Sequence, residues 1–288
     1  MTEGLSGRPA AGSAASQGVG PTGGAGLGLP KAEAMGRPVH TEVRGGVLLI
    51  VLNRPEIRNA INTETAEAVA AALDRLDSDP TLTCGVLTGA GGTFCAGMDL
   101  KAFLAGERPS VPVRGFAGIV ERPSDKPLVA AVEGAAVAGG FEIALACDLV
   151  VAGDSARFGL PEVRRGLVAA GGGLLRLAER IPTAIAMEWA LTGALVGAQR
   201  AFEVGLVNRL TPDGEALDAA LELASAIAAN GPLAVRASKQ ILRDSSGWPM
   251  GERFDLMREI SLPVRASEDA REGARAFTEK RPPVWRGV

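Results

Sequence analysis

Residues 128–162 read LVAAVEGAAVAGGFEIALACDLVVAGDSARFGLPE. The opening run, 128–132, is short and apolar, the mark of a buried strand. A glycine-rich turn follows and opens into the apolar stretch 141–149, which is expected to begin as a helix. Gly139 and Gly140 stand where that helix starts. Glycine there lets a ligand come close to the backbone, and the first amides of a helix have no internal partner. Such N–H groups, helped by the helix dipole, can hold a developing negative charge. Glu142 lies in the same first turn. Glu162 follows Pro161, and proline is favoured at the first helical position. One carboxylate thus stands beside an anion-binding turn, and a second, twenty residues on, stands at another element start.

These residues carry a resemblance. GGFEIALACDL followed by FGLPEVRRGL resembles the signature of the crotonase (enoyl-CoA hydratase/isomerase) superfamily. An earlier loop, TGAGGTFCAGMDL at 88–100, and LTGALVGAQRAFEVGLVNRL at 191–210 match it in order and spacing. The likeness runs from about residue 40 to the C-terminus.

Composition sets the bounds. The 288 residues are 47% hydrophobic, ample for a core, and 30 basic against 33 acidic side chains leave a net charge of −3. That balance gives no argument for nucleic acid or for an anionic membrane surface. No run of about 18 apolar residues is present, so no spanning helix is expected. The three cysteines, Cys84, Cys95 and Cys147, are scattered without a CxxC pair. This argues against a zinc ribbon or a disulfide framework and fits a reducing compartment, with a cytoplasmic location expected. His40 is the single histidine and there is no tyrosine. A histidine metal cluster is impossible, and a Ser-His-Asp triad would have to use His40.

Residues 1–36 hold ten glycines and only four charged residues, without helical or strand periodicity. A chain of that kind buries too little surface to offset its ordering entropy, so a disordered leader is expected. It has neither the basic start nor the apolar middle of a signal peptide, and Met35 is a second candidate start. Residues 40–52 are expected as a hairpin turning at Gly45-Gly46, with VLLIVL as a buried strand. Thr63 is expected to cap a helix to about Asp77, and 84–88 to form the next strand. Gly89, Gly91 and Gly92 fit neither a phosphate loop nor a dinucleotide fingerprint. Residues 101–125 are expected as a helix and loop over an acyl pocket, with Phe103, Val113, Phe116 and Ile119 as candidate lining. Helices are then expected at 184–192 and 198–203, a strand at 206–210, and helices at 217–228, from Pro232 to near 245–247, at 253–260 and at 268–280.

What the resemblance implies goes further. The fold is expected to be α/β, a crotonase-type spiral of stacked ββα turns over 37–211, with a helical region at 212–288 that builds a trimer face. The ligand is an acyl-CoA thioester, with coenzyme A part of the substrate and no separate cofactor. Arg58 and the backbone from Asn59 through Ala60 to Ile61 are candidates for the adenine end, and Ala96, Gly97, Met98 and Asp99 wrap the thioester and adenine portions. The Ala96 and Gly139 N–H groups are expected to form an oxyanion hole, with Gly140 beside it. Phe277 and Lys280 match positions that close over coenzyme A, often from a neighbouring subunit. Many family members have proline where Ala169 stands, which leaves the backbone there less defined.

An α,β-unsaturated thioester takes up water if its carbonyl is polarised, a base removes a proton from water and an acid protonates the α carbon. Two glutamates can divide that work if their surroundings push their pKa values apart. Glu142 and Glu162 fill both glutamate positions of the family's hydratases, with Glu162 the preferred proton donor. The leading expectation is therefore an enoyl-CoA hydratase. Carnitinyl-CoA dehydratases use the same two acids, an isomerase can work with one, and an acyl-CoA binder without catalysis needs neither.

Overall fold

The computed structural model describes residues 36–288; the expected leader at 1–36 lies, but for Gly36, outside the described residues. Its framework is a six-stranded sheet built from β1 (Val39–Arg44), β2 (Val47–Leu52), β3 (Cys84–Gly89), then β4 and β5, a small hairpin (Ser110–Val111 and Gly115–Phe116), set aside from it. The large sheet continues through β6 (Leu128–Val132), β8 (Leu149–Gly153) and β11 (Arg209–Thr211), in the order β1-β2-β3-β6-β8-β11. Only β1 runs antiparallel, joined to β2 by the tight turn at Gly45 and Gly46, both with positive φ.

Both faces of this sheet are covered, which explains the unbroken apolar runs. Along β2, Leu48, Ile50 and Leu52 enter the main core, while Val47, Leu49 and Val51 enter a second core. The side-chain period of two makes that division automatic. The second core is closed by α7 (Ala216–Ala228), whose Ala216, Leu217, Ala220, Leu221 and Ala224 repeat at helical spacing. The main core is covered by α1 (Thr63–Ser78), with Val69, Leu73 and Leu76 inward. Asn62 caps this helix, not Thr63: its side chain accepts the Thr65 N–H at 3.0 Å from an extended backbone, and Thr63 is the first helical residue.

A second, smaller sheet makes the spiral. It joins β7 (Ala135–Val137), β9 (Arg157–Gly159) and β10 (Val196–Gly197), and Cys95 bridges to Ala136 alongside it. Each turn thus sends one strand through the large sheet, one short strand through the small sheet, and then a helix. β6 and β7 lead to α3 (Gly139–Ala146). β8 and β9 lead to a 3-10 turn (Pro161–Arg165), then α4 (Gly173–Arg180) and α5 (Thr183–Thr192). β3 leads through Cys95 to α2 (Leu100–Leu104), and β10 leads to α6 (Ala198–Glu203). The alternation is that of stacked ββα turns.

Two further expectations need correcting. Residues 206–210 are not one strand: the Leu206 and Val207 N–H groups both return to the Ala201 carbonyl, closing α6, and pairing begins only at Arg209. The helix expected at 253–260 runs on as α9 (Arg253–Ala266), carrying Pro263 in its last turn. It is flanked by α8 (Pro232–Asp244) and α10 (Glu268–Glu279).

Candidate active site

Segments far apart in sequence converge at the start of α3. The first amides of α3 are set by Ala138, which has φ 53° and ψ −128° and donates its own N–H to Gly159 at 2.9 Å. Left-handed backbone at a residue with a β-carbon stores strain, and such strain collects at functional sites. The next two residues are glycines pressed close to their neighbours. A β-carbon on Gly140 would lie 2.0 Å from the Cys95 carbonyl oxygen, and one on Gly139 would lie 2.6 Å from the Phe116 ring. A β-carbon on Gly97 would come within 3.1 Å of the Gly139 nitrogen. The strand-like segment 95–99 therefore runs directly against the helix start.

The register of that segment decides which amides are free. Residue 61 bridges Met98: the Ile61 N–H donates to the Gly97 carbonyl at 2.8 Å, and the Asp99 N–H donates to Ile61 at 2.9 Å. In a parallel bridge the intervening residue turns its own N–H to the opposite side. The Met98 N–H and the Gly139 N–H make no hydrogen bond among the described residues. Ala96, expected to supply the first donor, cannot: its N–H is spent on the Arg58 carbonyl at 3.0 Å. Met98 and Gly139 therefore present unengaged amides where the two segments meet, with the unengaged Gly140 amide one residue further into α3.

Glu142 is buried, 4% exposed, one turn into α3. Its Oε1 accepts the Gly171 N–H at 2.7 Å and the Gly173 N–H at 3.1 Å. A β-carbon on Gly171 would stand 2.6 Å from the other carboxylate oxygen, and one on Gly173 would stand 2.8 Å from Glu142 Cγ. The glycine run at 171–173 is thus a cradle for this carboxylate, a role that sequence reading had not assigned to it. Gly171→Ala is expected to push the carboxylate aside and lower kcat by about a hundredfold, as misplacement near 1 Å does. Steady-state kinetics beside a thermal melt check it, since a comparable loss of folding would shift the melt as well.

Glu162 sits in the first turn of the 3-10 element, half-buried, and its Oε2 is buried without a hydrogen-bond partner. Burial pushes the pKa of both carboxyls up. At Glu142 the two glycine amides oppose that rise and the charge of Glu162 adds to it, so the two carboxylates lie within electrostatic reach of each other. At Glu162 Arg165 pulls the other way. In an acid with a raised folded-state pKa, the folded chain keeps its proton after the unfolded chain has lost it. Stability is therefore full below the unfolded value and falls as pH climbs through the raised one. Glu162→Gln is expected to match the parent near pH 4 and to exceed it in urea midpoint at about pH 7; a gap that widens toward acid would contradict the assignment.

The other expected residues divide. Asp99 spends its carboxylate on the α2 amides of Lys101 and Ala102 and on Arg54 at 3.0 Å. That makes it a brace for the loop rather than a free ligand group. Arg54 also donates to the Ala60 carbonyl at 2.7 Å, and Asn59 donates to Ala90 and Thr93, so the 53–61 loop is firmly held. Sequence pointed to the backbone at Asn59 but not to the bracing by its side chain or by Arg54, although an asparagine side chain in a turn-rich loop commonly bonds nearby backbone. Arg58 is exposed in left-handed backbone, and Ala60 is buried. Of the candidate pocket residues, Phe116 covers Gly139 and Ile119 is wholly in the core. Val113 is exposed, and Phe103 stacks under Arg108 at 4.5 Å. Phe277, 87% exposed, and Lys280, exposed past the end of α10, face away from the body of their own chain. Ala169 is buried.

Comparison with known proteins identifies the family. The enoyl-CoA hydratase/isomerase family matches residues 42–288, and the chain belongs to that family. Enoyl-CoA hydratase EchA19 of Mycobacterium tuberculosis is 47% identical over 251 residues, 84% of this chain and 94% of that one. The carnitinyl-CoA dehydratase of Proteus mirabilis is 44% identical over 261 residues, 88% of this chain and all of that one. Among solved structures, enoyl-CoA hydratase EchA1 from Mycobacterium marinum superposes with a TM-score of 0.86 at 57% identity, covering 87% of this chain and 99% of that one. The carnitinyl-CoA hydratase from Mycobacterium avium superposes at 0.70 with 44% identity, covering 88% and 99%. No helix among the described residues is long and apolar enough to cross a membrane.

Proposed function

We infer that the protein is a hydro-lyase that adds water across the 2,3 double bond of 2-enoyl-CoA thioesters. The observation that carries this is a buried carboxylate gripped by two amides, within electrostatic reach of a second carboxylate that has an unpartnered buried oxygen. The thioester oxygen is proposed to sit between the Met98 and Gly139 N–H groups, which have no acceptor among the described residues. Neutral amides stabilise the enolate oxygen without adding charge of their own, and removing one such donor typically costs about 2.7 to 4 kcal/mol of transition-state stabilisation. Glu142 and Glu162 together take a proton from water as its oxygen bonds to the β carbon, and Glu162 returns a proton to the α carbon. The raised proton affinity of Glu162 suits a group that must be protonated for part of the cycle. Coenzyme A arrives as part of the substrate, and the reaction is proposed to need no separate cofactor.

The relatives named carnitinyl-CoA dehydratases favour a second reading, in which the same two acids work on a substrate whose acyl chain carries a quaternary ammonium group. A one-acid isomerase leaves Glu162 without a task, and an inert acyl-CoA binder leaves the glycine cradle without one. Rates across crotonyl-CoA, longer 2-enoyl-CoA thioesters and crotonobetainyl-CoA separate these. Hydration of plain enoyl-CoA is the expected result; preference for crotonobetainyl-CoA would select the second reading, and binding without turnover would refute both.

Leu242 on α8, Met250 in the turn before α9 and Phe254 on α9 are 80%, 81% and 71% exposed. Apolar surface of that kind marks an interaction face, and it supports a homo-oligomer built through residues 212–288, a trimer or a dimer of trimers. Within it, Phe277 and Lys280 would close over coenzyme A bound by a neighbouring subunit, with Arg58 and the Ala60 backbone toward the adenine. Three free, buried cysteines fit a cytoplasmic location.

A further inference from the structure

We propose that Arg176 is the positioning residue for Glu142, tying the glycine cradle of the carboxylate to the segment that roofs the Gly139 amide; this rests on the hydration reading above. Arg176 lies on α4, which packs against α3. Its backbone N–H donates to the Gly172 carbonyl at 3.1 Å. Its side chain folds back beneath the same glycine, so close that a β-carbon on Gly172 would stand 2.6 Å from Nη1. Gly172 has φ 82° and lies between the two residues whose amides hold Glu142. From the other end of the guanidinium, Nη2 donates to the Val120 carbonyl. Val120 closes a turn back to the Phe116 carbonyl at 3.3 Å, and the Phe116 ring rests on Gly139. One side chain therefore spans from the cradle of the base to the cover of the oxyanion turn.

The charge is as informative as the reach. Arg176 is partly buried and makes no ion pair among the described residues. Taking a guanidinium out of water without a paired carboxylate is unfavourable unless its field is used. The groups that face it are Glu142 from α3, Glu179 and Arg180 from its own helix, and Cys147 at the end of α3, whose thiol burial pushes up to about 12. Facing Glu142 are Arg176, Glu162 and the glycine amides. Arg176 is the one cation in that set, and it opposes the rise that burial and Glu162 impose on Glu142. A planar fork can hold a backbone carbonyl and present a charge at the same time, which a lysine ammonium does less well.

The test uses the full chain with Arg176→Met, Arg176→Gln and Arg176→Lys. The Glu142 carboxyl is titrated by difference infrared spectroscopy, its band assigned by loss in Glu142→Gln, and kcat, KM and melting temperature are measured on the same samples. Both neutral variants are expected to move the Glu142 titration, and with it the acid limb of the kcat profile, to higher pH. Their kcat is expected to fall by about a hundredfold with KM little changed. Arg176→Lys should restore the titration but only part of kcat. A carboxyl band that titrates as in the parent in the neutral variants, with only the melting temperature lowered, would overturn the proposal. The infrared arm needs no turnover, so a parent that hydrates nothing would sink the hydratase reading while leaving the Arg176 result legible.

Discussion

Glu142→Gln is expected to lower kcat for enoyl-CoA hydration by about a hundred- to ten-thousandfold, the usual worth of one positioned acid-base group. The change should fall on kcat rather than on KM. Gln keeps the length of the side chain, and its carbonyl oxygen can still accept the Gly171 and Gly173 amides that hold Oε1 at 2.7 and 3.1 Å. What it loses is the capacity to take a proton, together with the negative charge that now raises the proton affinity of its surroundings. A loss confined to KM would mean that the side chain only shapes the pocket. Glu162→Gln should cost a similar factor, and the double variant should cost much less than the product of the two, because groups that serve one water act as a unit. Near-multiplicative losses would show that the two carboxylates serve separate steps. Activity that survives both changes would place the chemistry elsewhere in the chain.

How much of this was legible beforehand follows from what each residue does. Strand β2 announces itself, since six consecutive apolar residues, half of them β-branched and preceded by a Gly-Gly turn, suit a strand covered on both faces. The start of α3 and both glutamates are equally plain, because glycine pairs and a proline-led turn are local signals. The oxyanion donors were half legible. Gly139 is fixed by the helix start, which is local, but the second donor depends on the register between 95–99 and Ile61, which pairs residues far apart in sequence. A shift of two residues, from Ala96 to Met98, separates an amide already bonded to Arg58 from an open one. No propensity encodes that register. The cradle at 171–173 looked like an ordinary glycine-rich helix start, and its purpose appears only when Glu142, about thirty residues earlier, fills the space those missing side chains leave. Arg176 is the same case at longer range, since Val120 is 56 residues away.

Lys239→Met is expected to destabilise the fold by about 3 kcal/mol, the lower end of what breaking one side of a buried ion pair typically costs. Lys239 projects from α8 into the body of the chain, where its ammonium donates to the Ser124 and Lys126 carbonyls at 2.7 and 2.9 Å and to Asp148 at 2.7 Å. Its side chain is 9% exposed and that of Asp148 is 31% exposed. Asp148 also accepts the Leu128 N–H at 2.7 Å, at the head of β6. The bond therefore joins the C-terminal helices to the strand that leads into α3. Methionine matches the stem but leaves Asp148 and two carbonyls short of a donor, and the unpaired carboxylate accounts for most of the expected loss. The partial exposure of Asp148 lets water recover some of it, which is why the lower end applies. Urea unfolding checks this through a lower midpoint at unchanged slope. The companion Lys239→Met/Asp148→Asn should recover part of the loss, because the charge left behind is removed with its partner. If the single variant instead melted like the parent, α8 would be held by its apolar contacts alone. The expected link between the C-terminal helices and the strand that launches the catalytic turn would then be absent.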